Sequence, residues 1–225
     1  MPVQIFARRL AFATACVVAL CGIFRTPISA AQQADQPVKI VALGDSLIAG
    51  FGLAATDLFP TKLARALAAK GLSVTVVNAG VSGDTSSGGL GRLDWSVPGG
   101  TDAVIVELGA NDALRGIDPS ITRAALDNIL RKLKERGIPV LLCGMLSPPN
   151  LGAEYSGAFN AIYPELAKTY DAVFYPFFLD GIAADPKLNQ RDGIHPSAAG
   201  VDIIVKGILP KAEELVARAK ARRKL

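Results

Sequence analysis

The chain has 225 residues, and its composition of 50% hydrophobic and 20% charged residues excludes an intrinsically disordered protein. Its 24 basic and 20 acidic residues give a formal charge of +4, and its three cysteines argue against a scaffold held together by disulfides. The single histidine excludes any metal site that needs two histidine ligands, which includes most catalytic zinc sites.

The first 30 residues have the pattern of a secretory signal peptide. A short basic region ends at Arg9, an apolar stretch runs from Leu10 to Phe24, and the small residues Ser29–Ala31 suit a signal peptidase. A retained membrane anchor is the alternative, but the stretch is shorter than the ~20 residues that span a bilayer, and Arg25 ends it. We therefore expect cleavage and export to the periplasm or the medium, without stable membrane insertion.

Cleavage after Ala30 changes both the charge and the cysteine count. Three arginines and no acidic residue leave with this segment, so the formal charge falls from +4 to +1 and only Cys143 remains of the cysteines. We therefore expect no nucleic-acid binding, although the whole sequence has an isoelectric point near 9.0. The rest of the chain divides into a polar leader over residues 31–37, one domain over residues 38–217 and a basic C-terminal tail over residues 218–225.

Five short apolar runs, rich in β-branched or aromatic residues, predict five β-strands. The runs are continuous rather than alternating, as is typical of strands that helices cover on both faces. The predicted strands are Val38–Leu43, Val74–Val77, Ala103–Leu108, Val140–Cys143 and Val173–Tyr175.

Helical patterns separate these runs. The predicted helices are Thr61–Lys70, Pro119–Arg136 with Ile121 in its apolar stripe, Tyr155–Tyr170 with a kink or break at Pro164, and one that begins at the cap Ser197, with a break at Pro210. Alternation of strands and helices at this spacing implies parallel βαβ units. The predicted fold is α/β: a flavodoxin-like three-layer α/β/α sandwich around a five-stranded parallel sheet, which binds ligands at the carboxyl ends of its strands.

The first of four motifs, Gly44-Asp45-Ser46-Leu47, directly follows the first strand. A serine on a strand-to-helix turn presents its hydroxyl above the edge of the sheet, near a helix N-terminus that favours developing negative charge. Taken alone, the same pattern also describes an ordinary serine at a helix N-cap.

A glycine-rich loop, Gly80-Val81-Ser82-Gly83-Asp84-Thr85, follows the second strand. Such loops can turn backbone N–H groups toward an anion. A phosphate-binding loop is not supported, because Gly89 stands where that motif requires lysine, and the dinucleotide-binding pattern is absent here. The remaining alternative is a turn without a ligand.

The third motif, Gly109-Ala110-Asn111-Asp112, follows the third strand. An asparagine side chain can donate its NH2 group to an oxyanion. The alternative is a turn in which Asn111 stabilises its own loop, which is common for Asn-Asp pairs.

The fourth motif, Asp192-Gly193-Ile194-His195-Pro196, precedes the last predicted helix. An aspartate three residues before a histidine can fold back so that its carboxylate fixes the imidazole tautomer and the other ring nitrogen acts as a base. A serine needs such a base to become a nucleophile at neutral pH. Since His195 is the single histidine, a Ser–His mechanism must use it.

Together the four motifs resemble the SGNH, or GDSL, hydrolase family, whose name lists the serine, glycine, asparagine and histidine that they carry. The resemblance covers roughly residues 38 to 215. The most similar branch is the bacterial periplasmic thioesterase, lysophospholipase and arylesterase group, which Val106–Gly116 and Phe159–Lys168 resemble. One departure is Ala110, where this branch often has glycine, and we expect the extra methyl group to narrow the adjacent acyl pocket.

The resemblance implies a role for each motif residue. Ser46 is the expected nucleophile, His195 the general base and acid, and Asp192 the residue that orients the imidazole. The expected oxyanion donors are the backbone N–H groups of Ser46 and Gly83 and the side chain of Asn111. The residues expected to contact the substrate or to shape its acyl pocket are Asp45, Leu47, Ala110, Leu114, Pro148, Asn150 and Ile194, together with the loops 113–118 and 147–155.

The sequence therefore predicts an exported serine esterase that hydrolyses carboxylic esters or thioesters through an acyl-enzyme. Expected substrates are aryl esters, esters of short-to-medium acyl chains, acyl-CoA thioesters or lysophospholipids, and neither a metal nor an organic cofactor is expected. One alternative is a carbohydrate O-acetylesterase. Another is a non-catalytic binding module on the same fold, which the presence of all four motifs argues against. Outside the motifs, we expect Trp95 to serve packing and Cys143 to be an inert apolar residue.

Overall fold

A sheet of five parallel strands organises the protein in the computed structural model, which describes residues 36–224. The strands are β1 (Val38–Gly44), β2 (Val74–Gly80), β3 (Ala103–Glu107), β4 (Val140–Cys143) and β5 (Val173–Tyr175). Their order across the sheet is β2-β1-β3-β4-β5. The predicted five-stranded parallel sheet is confirmed, and the predicted signal peptide lies outside the described residues.

Helices form a layer on each side of this sheet. They are α1 (Ser46–Ala49), α2 (Phe59–Ala69), α3 (Ser86–Gly91), α4 (Leu93–Ser96), α5 (Ala110–Leu114), α6 (Pro119–Glu135), α7 (Ala153–Tyr170) and α8 (Ala198–Arg222), with a 3-10 turn at Pro149–Leu151. Helix α2 packs against α8, and α6 packs against both α3 and α7. The predicted three-layer α/β/α sandwich is therefore confirmed. Within residues 36–224, no helix combines the length and the hydropathy that a membrane span requires.

The sheet brings the ends of three strands to one place. Gly44 at the end of β1 is in register with Gly80 of β2 on one side and with Glu107 of β3 on the other. The strand order reverses at β1, because the chain moves outward to β2 and then crosses back to β3. Parallel α/β sheets bind ligands outside the carboxyl ends of their strands at such a reversal.

The edge strand β2 differs from its prediction. It extends to Gly80 rather than ending at Val77, and among residues 36–224 it pairs only with β1. Its residues are half-buried or exposed, so the prediction that helices cover every strand on both faces is wrong for β2. Trp95, which was expected to serve packing, is 81% exposed.

Two helices continue through their prolines, where a kink or break was expected at Pro164 and a break at Pro210. Helix α7 includes Pro164 and α8 includes Pro210, without a gap in either helix. In α8, Ile208 before the proline and Ala212 after it are both fully buried, so packing holds both halves of the helix and offsets the lost backbone hydrogen bond. In α6, Ile121 is 51% exposed and the neighbouring Thr122 occupies the buried stripe instead.

The C-terminal basic residues join the body of the domain. Helix α8 extends to Arg222, so the predicted basic tail begins within its last turns rather than as a separate segment. The Arg223 guanidinium donates to Asp102 Oδ1 (2.8 Å) and to the carbonyl oxygens of Gln36 (2.6 Å) and Pro37 (2.8 Å). Asp102 also accepts the Lys39 N–H (2.8 Å), so these contacts join the end of the chain to the start of β1.

Replacing Asp102 with asparagine is expected to lower the free energy of unfolding by about 2 kcal/mol at pH 7, the order of a charged hydrogen bond. The side chains of Asp102 and Arg223 are only 13% and 10% exposed. Although burial opposes its charge, hydrogen bonds from Arg223 and Lys39 lower the pKa of Asp102. The stabilisation is therefore present above the ordinary aspartate pKa of about 4 and is lost as the pH falls through the lowered value. Urea unfolding at pH 7 and pH 3 measures both effects.

Asp94→Asn is the matched control for this substitution. Asp94 is 75% exposed and its pair with Lys132 spans 3.3 Å, so its loss is expected to change the free energy of unfolding by less than about 0.5 kcal/mol. Equal destabilisation by Asp94→Asn and Asp102→Asn would contradict the account, as would an Asp102→Asn deficit that does not narrow at pH 3.

Candidate active site

Ser46 lies directly after β1, as the first residue of α1. Asp45 caps this helix, since its Oδ1 accepts the Leu47 N–H at 2.9 Å. Gly44 permits the close approach of β3, because a Cβ atom at this position would lie 2.7 Å from the Glu107 carbonyl oxygen. The Ser46 hydroxyl therefore lies at the carboxyl edge of the sheet and at the N-terminus of a helix.

The structure brings Ser46, Asp192 and His195 together. The Ser46 hydroxyl lies 2.9 Å from His195 Nε2, although 149 positions separate the two residues in the chain. His195 Nδ1 lies 2.7 Å from Asp192 Oδ2. Gly193, with a φ of +71°, supplies the backbone conformation that folds this short segment back on itself. A continuous line of hydrogen bonds thus runs from carboxylate to imidazole to hydroxyl.

Asp192 is held in its charged form. The backbone N–H groups of His195 and Ile194 each donate to Asp192 Oδ1 at 3.0 Å. These two bonds, with that from the imidazole, lower the pKa of Asp192 to about 2. A carboxylate only accepts hydrogen bonds, so it favours the tautomer with the hydrogen on Nδ1, and Nε2 is left to accept the Ser46 hydroxyl.

Two residues outside the predicted motifs hold the His195 segment against the Ser46 turn. The Gln190 amide donates to the carbonyl oxygens of Phe51 (2.7 Å) and Pro196 (3.0 Å). The Phe51 ring lies beside the imidazole of His195, with 4.6 Å between the ring centroids. No sequence signal marks Gln190 or Phe51, because their contact joins residues 139 positions apart.

Asn111 lies in the first turn of α5, after β3. Its side-chain NH2 group donates to Asp45 Oδ2 at 3.0 Å, which places the amide beside the residue that precedes Ser46. Gly109 has a φ of +116°, and a Cβ atom there would lie 2.1 Å from the Tyr163 hydroxyl oxygen, so only glycine fits. The amide carries a second N–H, which an oxyanion at Ser46 could accept.

The glycine-rich loop after β2 returns to the carboxyl edge of the sheet, beside the end of β1. The Val81 N–H donates to the Gly44 carbonyl oxygen at 3.0 Å. Gly83 has a φ of +82°, a conformation that favours glycine. The Arg115 guanidinium donates to the Gly83 carbonyl oxygen at 2.7 Å, and this bond links the loop to the segment that carries Asn111.

The mostly buried guanidinium of Arg92 holds the glycine-rich loop against the sheet. Arg92 Nε donates to Asp84 Oδ2 at 2.6 Å. Its other nitrogens donate to the carbonyl oxygens of Gly44 and Ala79, both at 2.8 Å. Arg92 therefore ties the ends of β1 and β2 to the loop that contains Gly83, a role that sequence reasoning missed.

Two of the predicted substrate contacts are wrong. Asp45 is fully buried, and its two oxygens are occupied by the Leu47 N–H and the Asn111 amide. Leu47 is 4% exposed and belongs to the hydrophobic core. Both residues were expected at the substrate because they flank Ser46, but the tight turn that exposes the serine directs its neighbours inward.

The remaining predicted contacts lie on accessible segments. Leu114 is 52% exposed and Ile194 is 47% exposed, Asn150 is exposed, and Pro148 and Ala110 are half-buried. Further exposed apolar side chains stand on the segments that follow α1, β2 and β4, namely Phe51, Val81 and Leu146. The segments that follow the strands thus present several apolar side chains to solvent.

The two loops expected to shape the acyl pocket face one another across a cavity of about 960 Å³. Its lining includes Gly116 and Asp118 from one loop and Leu151 and Tyr155 from the other segment. The Tyr155 hydroxyl donates to the Ile117 carbonyl oxygen at 2.7 Å, and this bond joins the two segments.

In the part of the chain that the structure describes, no group of three or more His, Cys, Asp or Glu side chains is placed to hold a metal ion.

Comparison with known proteins adds independent findings. Residues 42–203 match the model of the GDSL-like Lipase/Acylhydrolase family. An arylesterase of Vibrio mimicus is 38% identical over 190 residues, which cover 84% of this chain and 92% of the relative. Thioesterase 1/protease 1/lysophospholipase L1 of Escherichia coli is 39% identical over 178 residues, which cover 79% of this chain and 84% of the relative.

A solved structure agrees with this result. The crystal structure of AlinE4, an SGNH-hydrolase family esterase, matches with a TM-score of 0.68 and 45% identity. The match covers 80% of this chain and 96% of that one.

Proposed function

The chain belongs to the GDSL-like lipase/acylhydrolase family and is an ester hydrolase, and we propose that it acts as a serine esterase through an acyl-enzyme on Ser46. The observation that carries the proposal is the line of hydrogen bonds from Asp192 through His195 to Ser46, at the carboxyl edge of the sheet. A serine hydroxyl becomes a nucleophile when an oriented base accepts its proton. These three side chains supply the nucleophile, the base and the group that orients the base.

In the first half of the reaction, the Ser46 oxygen attacks the carbonyl carbon of the ester while His195 Nε2 takes the hydroxyl proton. The imidazolium that forms lies 2.7 Å from Asp192, which stabilises its charge. His195 then gives the proton to the departing alcohol or thiol, and the acyl group remains on Ser46.

The charge on the carbonyl oxygen is stabilised by donors from three segments. The Ser46 N–H belongs to the first turn of α1, where backbone N–H groups have no partner within the helix. The Gly83 N–H and the Asn111 side chain supply the other two donors. Preorganised donors of this kind lower the barrier because they need no reorientation as the charge develops.

In the second half, His195 takes a proton from water, and the resulting hydroxide equivalent attacks the acyl carbonyl carbon. The tetrahedral intermediate uses the same donors, His195 returns the proton to the Ser46 oxygen, and the carboxylic acid leaves. None of these steps needs a cofactor, since each proton moves between Ser46, the substrate, water and His195.

The substrates that this site fits best are small acyl or aryl esters and thioesters, with lysophospholipids in the same class. Phe51 lies against His195, and Val81, Leu114 and Ile194 are exposed on the segments that carry Gly83, Asn111 and His195. Contact with such side chains favours apolar acyl and leaving groups, because it removes their surface from water. The relatives named as an arylesterase and as a thioesterase and lysophospholipase support this choice.

A hydrolysis profile tests the substrate class. The panel contains nitrophenyl esters of increasing acyl length, a lysophospholipid, an acyl-CoA and an acetylated oligosaccharide. We expect the highest kcat/KM on the nitrophenyl esters or on the thioester and lysophospholipid substrates. Preference for the acetylated oligosaccharide would support a carbohydrate O-acetylesterase instead, and a folded protein that hydrolyses none of the panel would support a binding module.

We also propose that the protein acts after export. The basic region, apolar stretch and small residues of the first 30 positions support this location. N-terminal sequencing of protein recovered from the periplasm or medium of a bacterial host tests it. We expect a mature chain that begins near Ala31, and full-length protein confined to the cytoplasm would contradict export.

A further inference from the structure

Two buried carboxyl groups lie directly behind the proposed oxyanion site. Glu107, the last residue of β3, and Asp45, which precedes Ser46, are both fully buried. Glu107 Oε2 accepts the Asp45 N–H at 3.4 Å, so the two carboxyl groups are neighbours, and each shifts the pKa of the other. Within residues 36–224, Glu107 Oε1 is the buried side-chain oxygen that has no hydrogen-bond partner. Neither the proposed proton transfers nor the ester contacts use this pair.

The Asp45 carboxylate determines which way the Asn111 amide faces. An ionised carboxylate only accepts hydrogen bonds, so its Oδ2 selects the NH2 side of the amide, at 3.0 Å. With this orientation, the second N–H of the same nitrogen is directed away from Asp45 and can serve an oxyanion. A protonated Asp45 could donate to the amide oxygen instead, and the flipped amide would present a carbonyl oxygen where a donor is needed.

Two buried carboxyl groups this close are not expected to be ionised together at neutral pH. Burial raises the pKa of Asp45 to about 6, and burial together with the charge of Asp45 raises the pKa of Glu107 well above its usual range. Asp45 accepts the Leu47 N–H and the Asn111 amide, which favour its charge, whereas Glu107 accepts only the Asp45 N–H at 3.4 Å, so Glu107 is assigned as the neutral acid and Asp45 as the carboxylate. Of the other titratable groups around the pair, His195 favours the charge on Asp45, and burial raises the pKa values of Cys143 and Tyr163 so that both remain neutral.

We propose that Glu107 is a positioning residue for ester hydrolysis: its neutral carboxyl group donates a hydrogen bond to Asp45, and the carboxylate so maintained holds the Asn111 amide with its N–H toward the oxyanion. This inference rests on the proposed function. It assigns Glu107 no contact with the substrate, so its effect must pass through Asn111 and act on kcat rather than on KM.

Glu107→Leu and Glu107→Gln test the inference as a pair. Leucine removes the donor, and kcat for a nitrophenyl ester is expected to fall at least about 10-fold with KM within about twofold. Glutamine can donate an N–H to Asp45, and kcat is expected to stay within about threefold of the wild-type value. Equal losses in the two variants would overturn the proposal.

The pH dependence of kcat separates this role from simple packing. Loss of a neutral donor raises the pKa of Asp45, so the acid limb of the Glu107→Leu profile is expected at higher pH than in the wild type. If Glu107 were instead ionised, leucine would remove a neighbouring negative charge, and the acid limb would move to lower pH. That outcome, or an unmoved limb, would overturn the proposal.

A double-mutant cycle tests whether the effect passes through Asn111. In an Asn111→Ala background, Glu107→Leu is expected to lower kcat less than about twofold further. If Glu107→Leu lowers kcat as much in this background as it does in the wild type, Glu107 acts through another residue. If Glu107→Leu does not fold, Glu107→Met replaces it in the cycle, since methionine also lacks a donor, with the same expected loss of kcat at constant KM.

The controls also separate this inference from the proposed function. Wild-type protein that hydrolyses no ester contradicts both. Wild-type protein that is active and loses kcat on Asn111→Ala, but is unaffected by Glu107→Leu, contradicts only the role of Glu107.

Discussion

Replacing Ser46 with alanine is expected to lower kcat for ester hydrolysis by about 10⁴- to 10⁶-fold, the loss that follows removal of a serine nucleophile. The reason is chemical rather than structural. The Ser46 hydroxyl lies 2.9 Å from His195 Nε2, and alanine leaves the base with no group to activate and the acyl group with no acceptor. The change is assayed by steady-state release of nitrophenol at neutral pH.

The fold is expected to survive this substitution. Ser46 is 9% exposed, and alanine at the first position of α1 leaves the Asp45 cap on the Leu47 N–H in place. Ser87, which is exposed on α3, provides the matched control, and Ser87→Ala is expected to keep kcat within about twofold. Hydrolysis by folded Ser46→Ala at a rate close to the wild type would rule out the acyl-enzyme.

Replacing Asn111 with alanine is expected to lower kcat by about 100- to 1000-fold, or about 3 kcal/mol of transition-state stabilisation. The amide of Asn111 is held by Asp45 at 3.0 Å, so its second N–H is in place before the charge develops. A donor that acts only on the developing oxyanion contributes to kcat, and KM is therefore expected to stay within about twofold.

Asn128→Ala is the control for this change, since Asn128 is half-buried on α6 and its amide bonds to Ala124 and Arg131 of the same helix. It is expected to leave both kinetic parameters within about twofold of the wild type. An Asn111→Ala variant with raised KM and unchanged kcat would contradict the oxyanion role and would indicate a ground-state contact instead.

Sequence reasoning found the residues that follow strands. Ser46 and Asn111 each come directly after a predicted strand, and parallel strands place their carboxyl ends at one edge. His195 was identified because it is the single histidine, and Asp192 because a spacing of three residues lets the segment fold back on itself. These inferences needed only local pattern and topology.

The residues that hold those side chains could not be found in this way. Gln190 meets Phe51 across 139 positions, and Arg92 meets the Gly44 carbonyl oxygen across 48. Such contacts depend on how loops pack after the sheet has formed, and no periodicity in the sequence records them. Asp45 and Leu47 failed as substrate contacts for a related reason, because adjacency to Ser46 in sequence does not determine which side of a turn faces solvent.

Tertiary packing also overrides signals that are local in the sequence. Pro164 and Pro210 carry a local signal for a break, yet α7 and α8 continue through them because tertiary packing holds both sides of each proline. Trp95 was expected to pack, but it is 81% exposed and lines a cavity with Val77 and Ala79 of the edge strand β2.

Covalent labelling tests the central claim most directly. The wild-type protein is incubated with a nitrophenyl alkylphosphonate, and intact mass followed by peptide mapping locates the adduct. We expect one phosphonyl group on Ser46, with concurrent loss of esterase activity and no adduct on Ser46→Ala. Folded wild-type protein that stays unlabelled, or that carries the adduct on another residue, would contradict the assignment of Ser46 as the nucleophile.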